Sequence, residues 1–165
     1  MKASARLRVL TLNDVPAMHR IFNHYVAHSF AAYTEETVSE GFIRGLLEQS
    51  TPLGAIAVIG KEDQLQGFGL LRPYSPWQTF RETAFVTYFL DPNAVGQGLG
   101  TRLLAALEDA AREAGIHQLL AHVSSENPAS LAFHERRGFS RCGRLHGIGS
   151  KHGKTFDVVW YEKAL

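Results

Sequence analysis

Arg6-Leu7-Arg8-Val9-Leu10-Thr11-Leu12 alternates polar and apolar residues with the two-residue period of a half-buried strand. Asn13 or Asp14 then caps a helix that takes Pro16 in its first turn. Met18, Ile21, Phe22, Tyr25 and Val26 make its apolar stripe. A second helix starts at Thr37 or Ser39 and carries Phe42, Ile43, Leu46 and Leu47. Gly54 to Ile59 and Gln66 to Leu71 read as strands around Lys61-Glu62-Asp63, and a loop rich in proline and aromatics follows from Arg72 to Gln78. A long strand ends at Leu90. A helix from about Gly100 to Ala114 buries Leu103, Leu104, Leu107, Ala111 and Ala114, with Gly115 as its C-terminal cap. His117 to Val123 is a strand, Asn127-Pro128 opens a helix that Gly138 closes, and strands at Arg141–Ile148 and Phe156–Glu162 flank a hairpin at Lys151-His152-Gly153-Lys154. The strand–helix–strand–helix–strand order at the centre predicts a mixed α/β domain with one right-handed parallel crossover.

In such a sheet, ligands bind beyond the carboxyl ends of the parallel strands. There the chain reads Asp91-Pro92-Asn93-Ala94-Val95-Gly96-Gln97-Gly98-Leu99-Gly100-Thr101, a glycine-rich turn opening into a leucine-rich helix. Glycines let the backbone approach a ligand closely. The first free amides of the helix point at an anion along the positive end of the dipole, so the turn can grip a diphosphate. Such turns also arise for steric reasons alone. This one is not the dinucleotide fingerprint, because it lacks a third glycine at the required offset and follows a strand deep in the chain.

Length and composition narrow the class. The 165 residues predict one domain over 1–165, with 45% apolar and 20% charged residues and a net charge of +1. That charge supplies no field for nucleic acid or an anionic membrane. Cys142 stands alone, so an internal disulfide and a thiolate zinc cluster are both excluded, and a buried or half-buried position is expected for it. The first residues lack the apolar core of a signal peptide, and no apolar run approaches the roughly 18 residues of a membrane span. A soluble cytoplasmic protein is the expectation.

Further along, Asn127 suits an N-cap and Pro128 the first helical position. Ala129, Ala132 and Phe133 are expected to face the core, leaving Asn127, Ser130, His134 and Arg137 as a polar stripe, either towards a ligand or towards solvent. Together, Gly96-Gln97-Gly98-Leu99-Gly100, Ser125-Glu126-Asn127-Pro128-Ala129-Ser130 and Phe133-His134-Glu135-Arg136-Arg137-Gly138-Phe139 resemble the GNAT acetyltransferase superfamily over essentially the whole chain. Phe30-Ala31-Ala32-Tyr33-Thr34, the Arg72–Trp77 loop and the ending Gly149 to Val159 are similar to its phosphinothricin and methionine sulfoximine acetyltransferase subgroup.

The resemblance implies a mixed, mostly antiparallel central sheet with a splayed parallel strand pair, flanked by helices, and acetyl-CoA as cosubstrate. It places the diphosphate on the backbone amides of Gly96, Gln97, Gly98, Leu99, Gly100 and Thr101. It lays the pantetheine arm along Tyr88, Phe89 and Leu90 as an added strand, puts Asn127 and Ser130 on the CoA arm, and aims the Leu90 amide at the thioester carbonyl. Two positions depart from the pattern. Val95 stands where the family has Arg or Gln, and Phe85 stands where the subgroup carries a Glu that serves as base. Glu82 is three residues earlier, on the opposite strand face. Many members place a tyrosine acid at the position of His134, and a histidine can donate to the thiolate or simply sit on a helix surface. Tyr33, Arg72, Tyr74 and Trp77 are candidates for an acceptor pocket suited to an amino acid, with Arg72 on its carboxylate, although aromatics in surface loops also pack on one another. A homodimer is implied by the subgroup alone.

The implied chemistry is transfer of an acetyl group to the primary amine of a small, amino-acid-like acceptor. The alternatives are a non-catalytic acyl-CoA-binding module, which Phe85 keeps open, and an enzyme for a protein N-terminus or a polyamine. His24 and His28 have metal-ligand spacing without the following Glu of a zinc helix, and a structural role is expected. Gly153-Lys154-Thr155 lacks the first glycine of a phosphate loop, so no metal or nucleotide site is expected from either.

Overall fold

The computed structural model describes residues 5–165. Among them run seven strands, β1 (Arg6–Val9), β2 (Ala55–Ile59), β3 (Leu65–Pro73), β4 (Thr83–Leu90), β5 (Gln118–Ser124), β6 (Ser140–Lys151) and β7 (Lys154–Ala164). Four α-helices accompany them, α1 (Val15–His28), α2 (Glu40–Ser50), α3 (Leu99–Glu113) and α4 (Pro128–Arg136). The strands form one sheet in the order β1-β2-β3-β4-β5-β7-β6, antiparallel throughout except for the central parallel pair β4–β5.

Alternation along each strand divides the core in two. Val58, Leu71, Ala84, Val86 and Leu119 point to the face covered by α3, where Leu103, Leu104, Leu107 and Ala111 are buried. Ala57, Ile59, Phe68, Leu70 and Phe89 point to the other face, covered by Met18, Ile21 and Val26 of α1 and Ile43 and Leu47 of α2. The starts of α2 and of the 3-10 turn (Leu12–Asp14) that leads into α1 follow from local chemistry. The Ser39 hydroxyl accepts from the Phe42 amide at 3.2 Å. Asp14 accepts from the Thr11 amide at 2.8 Å while taking both Arg8 guanidinium nitrogens, at 2.7 and 2.8 Å, which ties α1 to β1.

Several local expectations give way. β1 stops at Val9, because Asp14 draws Thr11 into a short 3-10 turn and leaves Leu12 54% exposed. Ala114 is exposed at the frayed end of α3, one residue before Gly115 closes the helix at φ 76°. Cys142 is exposed, because β6 is the outer strand and its register slips between Arg141 and Gly143. In α4 the buried residue is His134, and Ala129 is exposed. The predicted hairpin is present, with His152 and Gly153 at φ 51° and 73° as its two-residue turn. His24 and His28 stack on each other on the exposed side of α1, their rings 4.8 Å apart.

The parallel pair positions the site. It registers only from Thr83 opposite Gln118 to Phe85 opposite Leu120. Beyond that, β4 follows β3 out to Leu90 and β5 follows β7 out to Ser124, so the two strands part as the sheet twists. A gap opens in the middle of the sheet.

Candidate active site

Backbone groups at a sheet interior need partners, and the gap leaves some of β4 without a strand to pair with. The Asp91 amide donates to Gln66 O at 2.8 Å and the Tyr74 amide to Thr83 O at 3.2 Å, which fixes the antiparallel phase between β3 and β4. Amides at odd positions therefore face β3, and those of Tyr88 and Leu90 face the gap. Leu90 O, on the same edge, accepts from the Tyr25 hydroxyl at 2.6 Å.

At the carboxyl end of β4 lies the glycine turn. Gly96 and Gly98 hold φ of 81° and 77°, a region that L side chains rarely adopt, with open space where a Cβ would project. Gly98 is the N-cap of α3, and Arg102 makes the first helical bond, back to Gly98 O at 3.3 Å. Among the described residues, no protein group accepts from the amides of Gly98, Leu99, Gly100 or Thr101. Four unsatisfied donors at the positive end of a 15-residue helix, beneath open space, fit a diphosphate. Val95 is 58% exposed and brings no charge to the turn.

The gap itself is a cavity of about 390 Å3 that passes between the two faces of the sheet. On the α3 and α4 side it is lined by Tyr88, Asn127, Ser130 and His134. Asn127 caps α4 through Oδ1, which accepts from the Ser130 amide at 3.3 Å. His134 is only 4% exposed, and its ring stacks on Tyr88 and Tyr161. Its Nδ1 lies 2.7 Å from Ser130 O, a pure acceptor, so Nδ1 carries the proton. Nε2 then accepts from the Tyr88 hydroxyl. Burial pushes the His134 imidazole below its ordinary value, against the pull of the Ser130 carbonyl, and burial with the Glu108 charge pushes the Tyr88 phenol far up. Both groups are neutral at pH 7.

On the α1 and α2 side, the lining includes Tyr33, Phe42, Arg72, Thr87 and His122. Arg72 on β3 reaches Thr87 Oγ1 at 3.4 Å, and among the described residues its buried Nε has no hydrogen-bond partner. Burial lowers the pKa of this guanidinium, and no carboxylate lies among the lining residues. Tyr33 is carried by the segment between α1 and α2, which Lys151 secures. The Lys151 side chain is fully buried, and Nζ donates to Ser29 O and Ala32 O, both at 2.7 Å.

The structure thus brings Tyr33, Arg72, Tyr88, Phe89, Asn127, Ser130 and His134 to one cavity, whose lining does not include Leu90 or Gly96 to Thr101, the residues that follow Phe89 along the chain. Tyr74 and Trp77 are not part of its lining. Tyr74 packs on Phe80 and Phe85, and Trp77 is 72% exposed. Phe85 sits edge-on to His122, with ring centroids 5.4 Å apart. Sequence reasoning missed His122, although the alternation Leu120-His122-Ser124 opposite buried Leu119-Ala121-Val123 carries the signal.

Comparison with known proteins agrees with this architecture. Residues 18–139 match the acetyltransferase (GNAT) family. The L-amino acid N-acyltransferase MnaT of Escherichia coli is 29% identical over 92% of this chain and 89% of its own. The phosphinothricin N-acetyltransferase of Streptomyces coelicolor is 27% identical over 99% and 98%. Among solved structures, a ribosomal-protein-alanine N-acetyltransferase from Brucella melitensis superposes with a TM-score of 0.90 at 31% identity, covering 97% of this chain and 99% of that one. The structure of yncA from Salmonella typhimurium with its cofactor acetyl-CoA gives 0.89 at 25% identity, covering 98% and 94%. With its glycine turn, its parted parallel strands and its Asn127-capped helix in that order, the chain belongs to the GNAT acetyltransferase family, whose cosubstrate is acetyl-CoA.

Proposed function

We propose that this enzyme acetylates the primary amine of a free L-amino acid or a close analogue. The amides of Gly96 to Thr101 hold the diphosphate, and the gap-facing edge of Tyr88 to Leu90 pairs with the pantetheine arm. Asn127 and Ser130 line that arm's path, and the Leu90 amide donates to the thioester carbonyl. Bound acetyl-CoA supplies an activated acyl carbon and a leaving sulfur whose thiol pKa, about 8.5 by analogy with cysteine, lets it depart as thiolate. Neutral His134 offers that sulfur no proton in its present tautomer, so in this reading it orients the Tyr88 ring. The preorganised Leu90 donor and the fixed placement of the amine then carry most of the rate enhancement.

One observation carries the acceptor class: the half-buried Arg72 guanidinium, over the Phe85 ring, faces the cavity with no anion among the described residues to meet it. Desolvating a cation without a partner is costly, and a carboxylate supplied by the acceptor removes that cost. An α-amino acid presents its carboxylate one carbon from the amine. A protein N-terminus, the acceptor named for the Brucella relative, has a neutral amide there. The apolar remainder, with Phe22, Phe42 and Phe68, packs against the methylene stem of the acceptor's side chain. The names of the phosphinothricin and methionine sulfoximine relatives support the same class. In this reading the protein works in the cytoplasm as a homodimer.

A thiol-release assay with L-methionine sulfone, L-phosphinothricin, an alanine-initiated peptide and spermidine tests it. Turnover of the amino acids is expected. Arg72→Met should cut kcat/KM by about 10- to 100-fold, the loss of a hydrogen bond to a charged group, with the acetyl-CoA Kd unchanged. Binding of acetyl-CoA without turnover of any amine would favour the binding module instead.

A further inference from the structure

We infer that His122 is the general base that deprotonates the acceptor amine. The inference rests on the amino-acid acetyltransferase reading and supplies what that reading lacks. Among the described residues no Asp or Glu lines the cavity, and His122 and His134 are the lining side chains with a proton-accepting nitrogen. His134 is spent, with Nδ1 on Ser130 O and Nε2 on the Tyr88 hydroxyl, and it lies on the Asn127 side of the gap. His122 projects from β5 to the opposite side, into the part of the cavity that holds Arg72 and Tyr33. Its base-bearing position is one strand away from Phe85, with which it shares a face and an edge-on contact.

The ring is held for this task. Trp160 and Phe85 pack against it, with centroids 5.3 and 5.4 Å away, and Tyr33 stacks at 5.5 Å with its hydroxyl 3.0 Å from Nδ1. Among the described residues, no protein group hydrogen-bonds Nε2. Burial keeps the Tyr33 hydroxyl protonated, with its pKa pushed up to about 12. When its oxygen accepts from Nδ1–H, the lone pair sits on Nε2, and the same bond persists in the imidazolium.

Two charged or titratable groups face the ring: Tyr33 from the segment between α1 and α2, and Arg72 from β3. Phe85 on β4 and Trp160 on β7 are uncharged. Burial first, and Arg72 second, hold the imidazole below its ordinary value, so the free enzyme presents a neutral ring. An arriving carboxylate neutralises Arg72 and removes the charge that opposes protonation of the ring. The acceptor's carboxylate thereby offsets, at the ring, the charge that its own ammonium brings. The step balances as follows. The ammonium gives one proton to Nε2, and the freed lone pair forms the C–N bond to the acetyl carbon. The C–S bond breaks with its electron pair on sulfur, the second nitrogen proton ends on that sulfur, and the imidazolium returns its proton to water.

The test is the pH dependence of His122→Gln, which keeps a polar partner for Tyr33. With L-methionine sulfone as acceptor, kcat/KM at pH 7 should fall by about 100-fold or more, the usual worth of a general base. The loss should shrink to a few-fold above the acceptor's own amine pKa, with acetyl-CoA Kd and Tm unchanged. An NMR titration of the wild-type imidazole gives an independent reading: a midpoint below the ordinary histidine value that rises when the amine-free carboxylate 4-(methylsulfonyl)butanoate is bound without acetyl-CoA. An equal loss at every pH, no loss at pH 7, or a midpoint indifferent to that carboxylate would each overturn the assignment. Wild-type enzyme that turns over no amino acid removes the functional reading and this one together. Wild-type turnover with an unchanged His122→Gln profile removes this one alone.

Discussion

Gly98 shows how one residue can serve the turn and the ligand at once. Its φ of 77° favours glycine, and nothing stands where a Cβ would go, so a side chain here meets backbone strain and then projects into the space assigned to the diphosphate. Gly98→Glu adds a negative charge at the positive end of α3 as well. An acetyl-CoA affinity at least about 10-fold weaker is expected, since 1.4 kcal/mol suffices for that factor and strain plus like-charge repulsion exceed it. Isothermal titration measures this directly, and an unchanged Kd would mean that the diphosphate lies elsewhere. The substitution leaves the Arg72 half of the cavity intact, so acceptor effects and cosubstrate effects separate cleanly.

At the level of elements, β1 and α1 are joined by one ion pair. Asp14 takes both Arg8 nitrogens and the Thr11 amide, and its side chain is 8% exposed. The Arg8 hydrogen bonds dominate and hold the Asp14 carboxyl below the usual carboxylate range despite its burial. A carboxyl whose folded pKa is depressed stabilises the fold above its unfolded value near 4, and that contribution is lost as pH falls through the folded value. Asp14→Asn should therefore lower the unfolding free energy by about 1–3 kcal/mol at pH 7, the cost of leaving Arg8 without its charged partner. The difference from wild type should narrow below pH 4. Urea melts at pH 7 and pH 3 would show both, and a gap independent of pH would rule out the ionic account.

The same scale shows what was legible in the chain. Helix starts at Asp14, Ser39 and Asn127 and the Gly115 stop were readable because caps and breakers are local. Cys142 and Ala129 were not, because their exposure depends on which neighbours tertiary packing supplies. The proposed cosubstrate half of the site draws mainly on one contiguous stretch from Tyr88 to Thr101, with Asn127 and Ser130 added from α4, and was readable for that reason. The proposed acceptor half draws on the Tyr33 segment, β3 and β5, so Arg72 was readable only as one of four candidates beside Tyr33, Tyr74 and Trp77, and His122 needed the fold to bring it opposite Arg72.

For the whole molecule, the gap between β4 and β5 is the feature that joins fold to activity. The two faces of the sheet have separate cores, and the cavity is lined from both of them; in the proposed function the cosubstrate enters from α3 and α4 and the acceptor from α1 and α2. A ligand that completes the sheet should stabilise the molecule as a unit. At 100 times its Kd, acetyl-CoA adds about 2.7 kcal/mol, which for a chain of this length raises Tm by roughly 5–10 °C. Hydrogen exchange resolves where that stabilisation lands. Amides of Thr87 and Phe89 face β3 and are protected in the free protein, whereas those of Tyr88 and Leu90 face the gap. Acetyl-CoA should slow exchange at Tyr88 and Leu90, together with Gly98 to Thr101, by more than at Thr87 and Phe89. Uniform slowing of all four β4 amides would indicate global stabilisation without strand-like pairing. Protection confined to the glycine turn would place the pantetheine arm outside the gap, and with it the thioester away from both Leu90 and His122.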